Sequence, residues 1–149
     1  MRTKRNRRSG FTLIEVLLVA GILALLAAFV VPNLMGAGKQ AKMDLARAAV
    51  GRSGPIAKQI TKYNFDNGVL PEELADLVSR EVPASLEMEE KDWKGPYIED
   101  SESLIDPWGT EYQYRAPGEV NEDGYDLWSN GPDKEEGTED DLTNWQEEE

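Results

Sequence analysis

Neither cysteine nor histidine occurs anywhere in the 149-residue chain. Without cysteine no disulfide can cross-link the fold, whatever the redox state of its compartment. Without histidine the commonest zinc ligand and the commonest general base are missing, so hydrolytic and zinc chemistry are disfavoured and any metal site must be built from oxygen. Basic residues are scarce in the second half: from Asp66 onward there are 27 acids against 5 bases. A surface of that sign repels phosphate, which argues against a nucleic-acid partner and for cations and basic surfaces. Long apolar runs are also scarce, and there is only one.

That run covers residues 16–31, which carry no charged or strongly polar side chain. With residues 12–15 it makes about 20 residues, enough for a helix to cross about 30 Å of hydrocarbon. A transmembrane helix is therefore expected over 11–31. The preceding leader, 1–10, holds Arg2, Lys4, Arg5, Arg7 and Arg8 and no acid, so the positive-inside rule places it in the cytoplasm. A cleaved secretory signal would have an apolar core of about 7–15 residues and a small-x-small site. Neither feature fits, whereas an ordinary signal anchor fits the same charges.

Residues 32–63 are expected to extend the helix, since Leu34, Ala41, Leu45 and Ala48 recur at helical spacing. Pro32, Gly36 and Gly38 weaken it, because proline removes a backbone hydrogen bond and each glycine costs about 1 kcal/mol relative to alanine. Gly51, Gly54 and Pro55 mark a break, with helix resuming over 56–63. Residues 64–149 are read as a globular domain. Pro71, Glu72 and Glu73 form a helix start over 71–78, with Leu70, Leu74 and Leu77 on one face. Asp106-Pro107-Trp108-Gly109 has the residues a type I turn prefers. Residues 111–115 and 125–129 alternate and predict an antiparallel hairpin turned at Pro117-Gly118. Residues 130–141, dominated by glycine, proline and acids, predict an irregular loop, and 147–149 a solvated tail. Trp108, Trp128 and Trp145 are read as core or loop anchors, because a small cysteine-free domain needs large apolar groups to bury.

Two features meet at the membrane entry: a leader ending in Gly10 before Phe11, and a lone acid, Glu15, inside an otherwise apolar stretch. A charged group costs roughly 2.5–3.5 kcal/mol at the membrane centre and less near the interface, so an intramembrane carboxylate needs a partner. Gly10-Phe11-Thr12-Leu13-Ile14-Glu15 resembles the signal of type IV pilins and pseudopilins. The resemblance implies that a prepilin peptidase cuts between Gly10 and Phe11 and methylates the new amine, and that Glu15 meets the amine of a neighbouring subunit during assembly.

Further landmarks are Tyr63 through Pro71, Gly95-Pro96-Tyr97-Ile98, Asp106-Pro107-Trp108-Gly109, Tyr112-Gln113-Tyr114-Arg115 and Asp126-Leu127-Trp128-Ser129. With the leader they make the chain similar to the major pseudopilins of type II secretion systems. It departs from that pattern at 51–55, where the family's helix usually runs through, and over 70–90. The resemblance implies an α+β, pilin-like fold: a long N-terminal transmembrane helix packed on a small antiparallel sheet, with an irregular C-terminal loop that binds calcium. Here the loop is 130–141, with side-chain ligands expected at Asp133 and Asp140, Asp141 as an alternative, and carbonyl ligands near Asn130. Calcium takes six to eight oxygens, which such a loop can supply. The loop is not an EF-hand, since Asp133-Lys134-Glu135-Glu136-Gly137 lacks the alternating ligands.

The implied function is structural: a subunit polymerises through its N-terminal helix into a periplasmic filament that supports export of folded proteins. Its implied partners are other copies of itself, the prepilin peptidase, minor pseudopilins and the inner-membrane assembly platform, and its location is the inner membrane with the C-terminal domain periplasmic. A type IV pilus or other pseudopilin subunit and a membrane-anchored calcium-binding domain are the alternatives. No enzyme is expected, because no nucleophile, histidine or phosphate loop accompanies the acids.

Overall fold

The computed structural model describes residues 11–145, the side chains at 29 and 31–35 excepted. The leader 1–10 and the tail 147–149 lie outside the described residues. The described residues up to 39 and those from 40 onward form separate compact units. Helix α1 (Leu13–Val50) runs from the first into the second, and its backbone stays helical at Pro32, Gly36 and Gly38. Within the first unit its apolar side chains are bare: Leu13, Ile14, Leu17, Leu23 and Leu25 are all 60–79% exposed. A helix apolar all round belongs inside a membrane or among other helices. Counted over the described residues alone, no helix is long and apolar enough to cross a membrane; the expected span 11–31 includes positions 29 and 31, whose side chains lie outside the described ones.

The second unit holds the core, and its architecture is α+β, as expected. α1 ends at Val50 and α2 (Pro55–Asn67) begins with proline at its first turn, where the missing N–H is no loss. Gly54 is required at the join, since a Cβ there would lie 2.5 Å from the Ala48 carbonyl oxygen and 2.9 Å from that of Gly51. The break thus falls where the glycines and proline place it. Ile56, Ile60 and Tyr63 recur at i, i+4 and i+7 on the buried face of α2 and pack with Ala46 and Val50 of α1, Leu77, Leu127 and Leu142.

The helix expected over 71–78 is a single 3-10 turn, Leu74–Leu77. It does not propagate because the Leu77 carbonyl accepts the N–H groups of Tyr97 and Ile98 (2.8 and 2.9 Å) instead of continuing a ladder. Its start is fixed by Asp76, whose carboxylate accepts from Glu72 N and Glu73 N at 2.9 and 3.3 Å. Leu74 and Leu77 are buried and Leu70 half-buried, so the expected face exists on a shorter element.

The sheet has order β1 (Gln113–Arg115), β2 (Asp126–Ser129), β3 (Leu142–Thr143), both pairings antiparallel. The hairpin is where the alternation placed it, and Asp106 makes the expected turn, Gly109 N donating to Asp106 O at 3.0 Å. The two-residue β3 was too short to register in the sequence. Asn144 prolongs it: its Oδ1 accepts from Leu127 N at 3.1 Å and its Nδ2 donates to Tyr125 O at 3.1 Å. Asp126, 2% exposed, gathers the hairpin loop by accepting the N–H groups of Glu119, Val120 and Asn121 at 2.7, 2.9 and 2.9 Å and the Asn121 amide at 3.0 Å.

Burial pushes the Asp126 carboxyl up, but those donors outweigh it and hold the group below its ordinary value. A carboxyl depressed on folding contributes stability above its unfolded value, near 3.9, and that contribution is lost as pH falls through the folded value. Stability of a fragment spanning 40–149 should therefore fall below about pH 4. Asp126→Asn should cost about 2–4 kcal/mol at neutral pH, by leaving buried donors unpaired, and flatten the acid limb of the curve. Denaturant unfolding at pH 7, 5 and 3 measures both, and an unaltered acid limb in the variant would transfer the effect to other carboxylates.

Candidate functional site

Of the processing residues, Gly10 lies outside the described residues and Phe11 is 88% exposed. Glu15 has a local role that sequence reasoning missed. Thr12 precedes the first residue of α1, and Glu15 stands three residues on, the arrangement of a capping box. Glu15 Oε2 accepts from Thr12 N at 2.8 Å and from Thr12 Oγ1 at 2.9 Å, while Glu15 N donates to Thr12 Oγ1 at 3.4 Å. The signal for this was legible as Thr-x-x-Glu ahead of an apolar run. As a carboxylate in the first turn, Glu15 also faces the positive end of the helix dipole.

The loop 130–141 carries six acids and one lysine, and the chain folds it back on itself. Asp133 Oδ1 accepts from Glu135 N at 2.9 Å and Asp133 N donates to Asp140 Oδ2 at 3.3 Å. Thr138 Oγ1 donates to Asp140 Oδ1 at 2.7 Å, and Gly137 N to Asp141 Oδ2 at 2.7 Å. The Thr138 hydroxyl and the Asp133 amide hold the Asp140 carboxyl below its ordinary value. Gly131, at φ +64, lies so close to the Asp140 carbonyl that a Cβ would collide with it. The loop entry is tied to the turn before β1, as Ser129 Oγ donates to Asp106 Oδ2 at 2.6 Å and accepts from Gly131 N at 3.2 Å.

The expected metal ligands are thus in one loop but not in one cage. Asp133 and Asp140 are joined, and Asp141 turns to Gly137. Among the described residues no three acids converge as a ready-made metal cluster. Two buried oxygens there lack a donor: Asn130 Oδ1 and Asp141 Oδ1.

Beside the loop is a cleft of about 180 Å³ lined by Val120, Trp128, Glu136 and Trp145, with Arg115 and Glu119 at its wall. The rings of Trp128 and Trp145 meet edge to face at 5.9 Å, Arg115 lies 5.6 Å from the Trp128 ring, and Arg115 pairs with Glu119 at 2.6 Å. Trp128 is buried and Trp108 and Trp145 half-buried, so they anchor as expected, and two of them also form a wall. Only the folded register β1–β2 and the return of the chain at 142–145 bring that wall together.

Residues 33–145 match the family described as type II secretion system protein G, and residues 5–31 match the prokaryotic N-terminal methylation motif. The chain is similar to the type II secretion system core protein G of Pseudomonas aeruginosa, 38% identical over 146 residues that cover 95% of this chain and 98% of the relative. The Escherichia coli K12 core protein G is 39% identical over 141 residues, covering 94% and 92%. In three dimensions the chain is similar to the crystal structure of the major pseudopilin from the type 2 secretion system of enterohaemorrhagic Escherichia coli, with TM-score 0.58 and 31% identity over 78% of this chain and 97% of that one.

The acidic loop depends on the close approach of 131 to 140. Gly131→Ala should destabilise the domain by about 1–3 kcal/mol, through the left-handed conformation and the collision together. Gly137, at φ +88 but facing open space, should cost less when changed to alanine. Thermal unfolding of both variants measures the difference, and equal losses would show that the 131–140 approach carries no stability.

Proposed function

The chain belongs to the protein G family of type II secretion systems, the major pseudopilins, and we propose that it is the structural subunit of a secretion pseudopilus. The observation that carries this reading is the combination, in one chain, of the methylation motif at 5–31 and the protein G match at 33–145. A helix with bare apolar side chains is a polymerising element waiting for neighbours or lipid. Its work is mechanical rather than catalytic.

In this reading the prepilin peptidase cuts between Gly10 and Phe11, the new amine is methylated, and the mature helix rests in the inner membrane with the domain periplasmic. Minor pseudopilins and an inner-membrane platform are the further partners of assembly. Glu15 offers the amine of an adjacent subunit a counter-charge in a medium where an unpaired charge is costly. Mass spectrometry of membrane-extracted protein should give a chain beginning at methylated Phe11. Glu15→Val should still insert, since it makes the span more apolar, yet yield no filaments by electron microscopy. Wild-type filament yield from that variant, or retention of residues 1–10 in mature protein, would overturn the assembly account.

Calcium is the proposed ligand of 130–141. The donor set fits a hard cation, being all oxygen, and Asn130 Oδ1 and Asp141 Oδ1 are buried acceptors without a donor. Asp133 and Asp140 would complete the side-chain set, with backbone carbonyls beside them. When bound, the ion would supply positive charge that offsets the six acids. The loop's own hydrogen bonds already hold Asp133 and Asp140 near each other. Calcium should stabilise a 40–149 fragment by roughly 2.7 kcal/mol at a hundredfold excess over Kd and so raise its unfolding temperature, and magnesium should substitute poorly because it demands a tight octahedral shell. Asp133→Ala should abolish most of the rise. Identical melting curves with calcium, magnesium and chelator would remove the site.

A further inference from the structure

Two exposed surfaces in the 40–149 unit are complementary to each other. The first is the outer face of α2. Lys58, Lys62 and Phe65 stand at i, i+4 and i+7, opposite in period to the buried Ile56, Ile60 and Tyr63. Phe65 is 87% exposed, an unusual place for an aromatic ring. Among the described residues neither lysine forms a close ion pair; Lys62 lies 5.5 Å from the Tyr97 ring and acts on the Asp66 carboxylate only through space. Its two lysines close a segment, 39–62, with six bases and one acid, and Asp66 follows Phe65.

The second surface is the cleft beside the acidic loop. Its about 180 Å³ is of the size of one aromatic side chain, its wall is the Trp128–Trp145 pair, and Val120 at its rim is 57% exposed. Glu136 lines it without an ion-pair partner among the described residues. The segment around it, 130–141, has six acids and one lysine, the reverse of the helix face. Aromatic side chains seated in well-packed pockets and flanked by charge are the usual anchors of interfaces.

We propose that the α2 face of one subunit docks into the Trp128–Trp145 cleft of a second copy, Phe65 filling the cleft and Lys58 and Lys62 meeting Glu136 and the acidic loop. The two surfaces share no residue, so the contact is heterologous: each subunit offers one of each, and repetition with a rotation that does not close generates an open filament. This rests on the pseudopilus reading and adds to it a lateral contact between globular domains. The ring supplies affinity and the charges supply orientation, with a dependence on salt.

The absence of cysteine makes the contact directly testable in full-length filaments. Lys62→Cys combined with Glu136→Cys, treated with oxidant or a short bis-maleimide, should give a ladder of covalent dimers, trimers and longer species, and neither single variant should. Phe65→Ala in the same background should reduce the ladder at least fivefold while leaving the melting temperature of the subunit unchanged. As a second arm, Lys62→Glu should lower filament yield several-fold and Glu136→Lys should restore it. Filaments that form normally but give no ladder, with no rescue by the charge swap, would overturn the contact, leave the pseudopilus reading intact and point the cleft to a partner other than a second copy. Failure of the unaltered chain to form filaments would remove the pseudopilus reading itself and this contact with it.

Discussion

An aspartate carboxylate accepting main-chain N–H groups is the interaction on which the globular half depends. Asp76 holds the start of the 74–77 turn, Asp106 the turn before β1 through Trp108 N and Thr110 N at 2.9 and 2.8 Å, and Asp126 the hairpin loop. Asp133, Asp140 and Asp141 repeat the device in the C-terminal loop. Each clasp ties a segment with no regular ladder of its own, and a hydrogen bond to an ionised acceptor is stronger than a neutral one. In a chain without cysteine these clasps stand where a small exported domain would otherwise use disulfides. Their cost is charge: several of the acids that make the domain so negative are also its fasteners, and at Asp126 and Asp140 the donors hold the carboxyl below its ordinary value.

Much of the architecture could be read from local chemistry. Gly54 and Pro55 announce the helix break because a close approach and an absent donor each leave few alternatives. Asp106 through Gly109 announce their turn for the same reason, and the alternation at Tyr112, Tyr114, Tyr125 and Leu127 announces the hairpin. The errors lie where distant partners decide. Helix over 71–78 was curtailed by Tyr97 and Ile98, some 20 residues away in sequence, and β3 exists only because Leu127 and Trp128 offer it an edge. The wall formed by Trp128 and Trp145 is likewise a product of strand pairing, which periodicity cannot reveal. The acidic loop is legible as a loop, but the main-chain donors that its carboxylates accept are not, because they depend on how the loop folds back on itself.

Charge is distributed along this chain in a way that suits a polymer. Bases are concentrated in the leader and in 39–62, acids after 66. A globular monomer gains nothing from such segregation, since the like charges of the acidic half repel one another. Stacked copies can bring the basic stretch of one beside the acidic surface of the next. The same logic applies to the naked apolar helix of 13–28, whose exposure is costly in water and neutral in lipid or among identical helices.

Glu15 serves its own helix directly, and the proposed assembly asks it to serve a neighbouring chain as well. Both donors from Thr12 reach a single oxygen, Oε2, so the second oxygen is free of partners among the described residues. Capping its own helix and pairing with another chain's amine are therefore compatible. The cap contributes on the order of 1 kcal/mol and fixes the side-chain rotamer, which removes part of the entropy that a flexible carboxylate loses on meeting a partner. An alanine or valine at 15 loses the counter-charge and frays the first turn together, whereas glutamine keeps an acceptor for Thr12 and loses only the charge. Comparing Glu15→Gln with Glu15→Val therefore separates the two roles: equal loss of assembly assigns the effect to charge, and a milder defect in the glutamine variant assigns part of it to the cap.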